Sequence, residues 1–127
     1  MIDEMDFRKS WSFFPTGVSI LAAKNQKDSI HGMTASSVMS ISLDPPIIMV
    51  SIGIERSILE NIERSEFVSV SLLSNNQSNI ATYFSKPHAS NHDFFYNNND
   101  VFFIKDCLGY FFCKKNDFIK VGDHIVY

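Results

Sequence analysis

The sequence predicts a small, mainly β barrel. Short stretches alternate apolar and polar residues by twos, and turn-rich segments interrupt them at close intervals. Few segments carry helical spacing. At 127 residues, 45% of them hydrophobic, the chain fits one domain with a single core.

Taken in order, Asp3 is placed to cap a helix over 4–14, where Phe7, Trp11 and Phe14 recur at helical spacing. Pro15 ends it, because the residue before a proline avoids the α region. Residues 17–24, GVSILAAK, predict a strand, and 25–29 a turn. The next stretch, IHGMTASSVMSISLDPP, holds five hydroxyls between Thr34 and Ser42 and no charge before Asp44, one histidine aside. Thr34, Ser36, Ser40 and Ser42 share one parity, and Met33, Ala35, Met39, Ile41 and Leu43 share the other. Ser37 and Val38 break the pattern. This predicts a strand with one face in the core and a polar, small, neutral face opposite, suited to a large flat ligand. Asp44-Pro45-Pro46 interrupts the ladder, since proline has no N–H to donate.

Residues 47–52 predict a buried strand, and 55–65 a helix with Ile58, Leu59 and Ile62 inward. Residues 67–73 alternate as a strand. Ser74 or Asn75 is placed to cap a helix from Gln77 to Phe84. Residues 85–100 are too polar and turn-rich for a core element, apart from Phe94 to Tyr96. CLGYFFCKK and FIKVGDHIVY close the chain as two strands.

The formal charge of −3 gives no basic footprint for nucleic acid or an anionic membrane surface. No apolar run reaches spanning length, and the acidic MIDEMDF start is unlike a signal peptide. Cys107 and Cys113 would stand about 20 Å apart on one strand, too far for a disulfide, which suits a reduced, cytoplasmic protein. The glycines are isolated, so no dinucleotide or P-loop fingerprint forms, and no G-x-S-x-G supports a serine hydrolase. His88 and His92 have a metal-like spacing, but after Pro87 they read as solvated loop residues and no metal is expected.

Several motifs occur together and in order: FPTGVSIL, HGMTASSVMSISLDPPIIMVSI, ERS, FVSVSLLSNNQSNIATYFS and GDH. The sequence thereby resembles the flavin reductase-like proteins over nearly the whole chain. The resemblance implies a split β-barrel of Greek-key, FMN-binding type with short flanking helices. It implies a homodimeric NAD(P)H:flavin oxidoreductase that supplies reduced flavin to a partner monooxygenase. FMN is the expected cofactor, with FAD as the alternative, and NADH or NADPH the hydride donor. No acid–base pair stands out, and none is called for, because the flavin itself accepts the hydride while the protein aligns the reactants.

The family pattern implies flavin contacts at His31, Gly32, Met33, Thr34, Ser36 and Ser37, then at Ser51, Ile52 and Gly53. It sets Arg56 and Ser57 at the phosphate, at the start of the 55–65 helix where free N–H groups favour an anion. Tyr83 and Phe84 fall near the flavin tail, and His124 beside the nicotinamide. Taken singly, each residue also fits a plain structural role; their joint order carries the assignment.

Relatives usually continue well beyond GDH, whereas this sequence ends at Tyr127, so an expected closing strand is missing. Phe112 also stands where relatives often have an acidic residue. The competing expectation is a flavin-binding protein without reductase turnover. A colourless interaction module is a third.

Overall fold

The computed structural model describes residues 1–127. The elements in order are α1 (Glu4–Trp11), β1 (Ser19–Lys24), β2 (Ile30–Ala35), β3 (Val38–Leu43), β4 (Pro46–Gly53), α2 (Leu59–Arg64) and β5 (Phe67–Leu72). There follow α3 (Ser78–Phe84), one 3₁₀ turn (His92–Phe94), β6 (Phe95–Asn98), β7 (Val101–Ile104), β8 (Gly109–Lys114), β9 (Ile119–Val121) and β10 (His124–Val126). Two four-stranded sheets, ordered β2-β1-β5-β8 and β3-β4-β10-β9, form the two parts of a split β-barrel, and β6–β7 is a separate hairpin. All pairings are antiparallel.

The inner strands of the first sheet, β1 and most of β5, are buried on both faces. Leu21 and Ala23 of β1 and Val68 and Val70 of β5 meet Val50 and Ile52 of the second sheet, with Ile58 and Ile62 packed alongside. Ile20 and Ala22 face the other way, toward Ile80 and Phe84 of α3 and Phe95, Phe102 and Ile104 of the hairpin. This explains why β1 reads as a nearly continuous apolar run rather than an alternating one. Specific bonds tie the junctions: Ser71 Oγ accepts from Ile104 N at 3.0 Å, and Lys115 Nζ donates to the carbonyls of Ile62 and Glu63, closing the end of α2. Gln77 accepts from Ser74 N and donates to Lys105 O, tying the start of α3 to the end of β7.

The structure corrects the sequence reading in several places. Asp3 does cap α1, accepting from Asp6 N at 2.8 Å, but the helix stops at Trp11, where the turns tighten to Phe13 N–Ser10 O and Phe14 N–Trp11 O. The 55–65 helix is only Leu59–Arg64, because Arg56 N bonds Gly53 O and Leu59 N bonds Arg56 O in i→i+3 turns before the first α bond, Ile62 N to Ile58 O. Neither Ser74 nor Asn75 caps α3; Gln77 precedes it.

The alternation over 33–43 holds only to Ala35. The strand breaks at Ser36-Ser37 and crosses to the other sheet, where a bulge between Ser40 and Ser42 shifts the register again. Met39, Ile41 and Leu43 are therefore exposed, Leu43 to 89%, on an edge strand. Nor is the opposite face of β2 open to solvent, since α3 lies on it. The 85–100 segment contains β6, β7 was not foreseen, β8 leaves Cys107 outside, and the final strand is a hairpin turning at Gly122, whose φ is +58°.

Gly32 sets the distance between β2 and α3. A Cβ built there would lie 2.7 Å from Phe84 Cδ1 and 3.2 Å from Ile20 Cγ2, and Phe84 is wholly buried. Phe94 and Phe95 pack edge-on against the ring and hem it in. Gly32→Ala is expected to destabilise the fold by about 1–3 kcal/mol, as overpacking does. Gly17→Ala, where a Cβ meets nothing within 4 Å, serves as the control. Denaturant melts that superimpose for the two variants would refute this.

Candidate functional site

A pocket of about 240 Å³ opens where β2, the 53–58 turn and the end of α3 converge. Gly32 and Met33 form its floor, Arg56 and Ser57 one wall, and Phe84 with the Ser85–His88 turn the other. The walls are tied together, since His88 N donates to Ser57 Oγ at 2.8 Å. That bond uses a lone pair of the Ser57 hydroxyl and leaves its proton free to donate. His88 holds φ at +56°, a conformation uncommon for any residue but glycine. Arg56 meets Glu55 at 3.4 Å, while Lys86 has no carboxylate within ion-pairing distance. The pocket thus offers two cations and a free hydroxyl, a donor set suited to a phosphate. With six residues α2 is too short to add a strong dipole, and Arg56 and Ser57 precede it, so the helix-start argument gives way to side-chain donors.

Of the residues expected from sequence, Gly32, Met33, Arg56, Ser57 and Phe84 line this one pocket. Gly53 adjoins it, accepting from Arg56 N at 3.0 Å and pairing across the ladder with His124. Ser36 and Ser37 are exposed at the break between sheets, and Ser51 N donates to Ser37 O at 3.1 Å, so these three form an open rim. His124 opens β10 between β4 and β9, where its Nδ1 meets Asp123 Oδ1 at 2.7 Å. Asp123 is held below its usual value chiefly by that hydrogen bond.

Others are committed elsewhere. Thr34 Oγ1 donates to Ala81 O at 2.5 Å, and Gly32 N to Ala89 O at 3.1 Å, so the face expected to serve a ligand is partly used to seat α3 and the segment after it. The Ile52 side chain lies in the core, leaving only its backbone for a ligand. Tyr83 turns toward the 90–94 segment, donating to Ser90 O at 3.1 Å and packing edge-on against Phe94. His31 contacts Asn25 at 3.3 Å. Sequence reasoning missed Glu55, Ser85, Lys86, Pro87 and His88 as lining residues. The one available signal was a lysine and a proline just after a helix ending in Phe84.

The pocket is smaller than the roughly 300–1,000 Å³ usual for a whole organic ligand. It suits one end of a longer molecule whose remainder lies outside it. FMN has that form, with a phosphate at one end and a flat ring system at the other, and the residues fit it.

Fold and site together define a split-barrel protein with an anion-accepting pocket at the seam of its sheets. The chain belongs to the flavin reductase-like family: the family model described as flavin reductase like domain matches residues 11–127. The NADH-dependent flavin reductase StyB of Pseudomonas fluorescens is 33% identical over 128 residues, covering 99% of this chain and 75% of StyB. The stachydrine N-demethylase reductase subunit Stc3 of Rhizobium meliloti is 26% identical over 129 residues, and there the chain spans only 56% of the relative. The structure of the styrene monooxygenase flavin reductase SMOB from Pseudomonas putida S12 superimposes with a TM-score of 0.85 at 31% identity, over 95% of this chain and 79% of that one.

The His31 imidazole is pushed below the ordinary histidine value of 6.5, first by burial and then by the nearby imidazoles of His88 and His92. Because the folded value is the lower one, the unfolded chain takes up the proton first. Stability is full above about pH 6.5 and declines as pH falls below it. His31→Gln is expected to flatten that decline relative to wild type in melts between about pH 7 and pH 5. Parallel pH profiles for the two proteins would rule the linkage out.

Proposed function

We propose that the chain is an FMN-binding flavin reductase that uses NADH or NADPH and passes reduced flavin to a partner monooxygenase, in the cytoplasm. The observation that carries this reading is the donor set of Arg56, Ser57 and Lys86 at one end of a small-residue rim. FMN, when bound, supplies the hydride-accepting ring. The chain's own task is positional. Arg56, Lys86 and the Ser57 hydroxyl would hold the phosphate, and the rim of Ser36, Ser37 and Ser51 would run beneath the ribityl chain and ring. His124, across the ladder from Gly53, would flank the nicotinamide. The names of StyB, SMOB and Stc3, a reductase subunit among them, support a reductase working beside an oxygenase. FAD would fit if its second phosphate and adenosine lay outside so small a pocket.

The test is spectroscopic. Protein loaded with FMN should be yellow and should bleach anaerobically with NADH. Arg56→Ala should weaken FMN binding by about 1.5–3 kcal/mol, the value of a hydrogen bond to a charged group, while riboflavin binding stays nearly unchanged. A yellow protein that NADH does not bleach would instead support flavin binding without turnover. Equal losses for FMN and riboflavin would remove Arg56 from the phosphate.

A homodimer is part of this proposal. The edge strand β3 exposes Met39, Ile41 and Leu43, and Phe7, Trp11 and Phe14 stack on one another in solvent with no residue of α1 buried. Apolar surface of this extent marks an interface. Light scattering at micromolar concentration should give twice the 14.5 kDa chain mass, and Leu43→Asp should shift it toward one chain. A monomer mass for wild type would overturn the assignment.

A further inference from the structure

Among the residues lining the pocket, Glu55 alone is acidic. Its carboxylate folds back over Gly53, so that a Cβ at Gly53 would lie 2.7 Å from both oxygens. From there Oε1 sits 3.4 Å from Arg56 Nε. That distance is too long for a good hydrogen bond, and both side chains are more than half exposed, so water screens the pair. Glu55 therefore stands in the pocket as a loosely held anion on a cation suited to a ligand. Gly53, having no side chain, leaves room for the carboxylate there.

We propose that Glu55 is a specificity-determining residue: a resident counter-ion of Arg56 that an incoming phosphate monoester must displace. This rests on the reading of the pocket as the flavin-phosphate end. A phosphate monoester carries a charge of about −1.5 to −2 at neutral pH and accepts from several donors at once, so it outcompetes one exposed carboxylate for Arg56. The displaced carboxylate remains next to the new anion, tethered one residue away, and repels it. Both effects lower affinity for a phosphorylated flavin and leave an unphosphorylated one untouched. Weak, readily reversed binding is what a protein needs if its product must leave for another enzyme.

Glu55→Gln keeps the shape and removes the charge, and a side chain this exposed should leave the melting temperature unchanged. Fluorescence titrations with FMN and with riboflavin should be run on wild type, Glu55→Gln and Arg56→Ala, at low and at high salt. Glu55→Gln is expected to tighten FMN about two- to fivefold, the range of a surface ion pair, to leave riboflavin unchanged, and to lose most of its gain at about 1 M salt. If Glu55→Gln binds FMN no better than wild type, or more weakly, while Arg56→Ala still discriminates against FMN, the phosphate pocket stands and Glu55 is no competitor. If Arg56→Ala treats FMN and riboflavin alike, or if wild type binds neither, the pocket assignment falls, and this inference with it.

Discussion

The contact on which the site depends is that of one aromatic ring against a strand with no side chain. Phe84 closes α3, and its ring lies on the backbone of Gly32 at a separation no Cβ would tolerate. That contact fixes the height of α3 over β2, where Thr34 donates to the Ala81 carbonyl. From the fixed helix end, residues 85–88 run beside the 53–58 segment. There the bond from His88 N to Ser57 Oγ joins the two. The pocket is the space left between a helix end and a turn that are held apart by core packing on one side and joined by a hydrogen bond on the other.

Much of this arrangement is legible in the sequence. Period-two alternation located β2 and β5, apolar runs located β1 and β4, and Asp3 announced α1 through a local capping bond. Motif order brought Gly32, Met33, Arg56, Ser57 and Phe84 forward together, and they do share one cavity. What failed was whatever depended on a partner distant in sequence. Parity past Ala35 could not show that the chain changes sheets at Ser36-Ser37 or that a bulge follows. The hydroxyl of Thr34 looked solvent-facing because nothing local says that a helix more than forty residues later will cover it. Lys86 and His88 lay in a stretch whose composition reads as loop. Loop residues gain geometry only from what they dock against.

The buried face of β5 illustrates the same dependence in the core. Ser69 and Ser71 are both inaccessible, yet only Ser71 finds a partner, the Ile104 amide of the β6–β7 hairpin. A serine in a strand would ordinarily face water. Here the hairpin lies over it, and the seryl oxygen takes up an amide that would otherwise be buried without a partner. The hairpin and α3 together convert what would be a one-sided sheet into the middle layer of the molecule. Inner strands packed on both faces give a site a firmer support than a loop would.

The bulge in β3 has a consequence for the life of the chain before it finds any companion. An edge strand carrying methionine, isoleucine and leucine outward is a template for indiscriminate strand pairing. The displaced register at Ser40–Ser42 interrupts the row of backbone groups another chain would need, and Asp44-Pro45-Pro46 ends it with a charge and residues that cannot donate. The same stretch therefore stays sticky through its side chains while its backbone resists being copied. That combination favours a surface that docks by shape over one that nucleates fibrils.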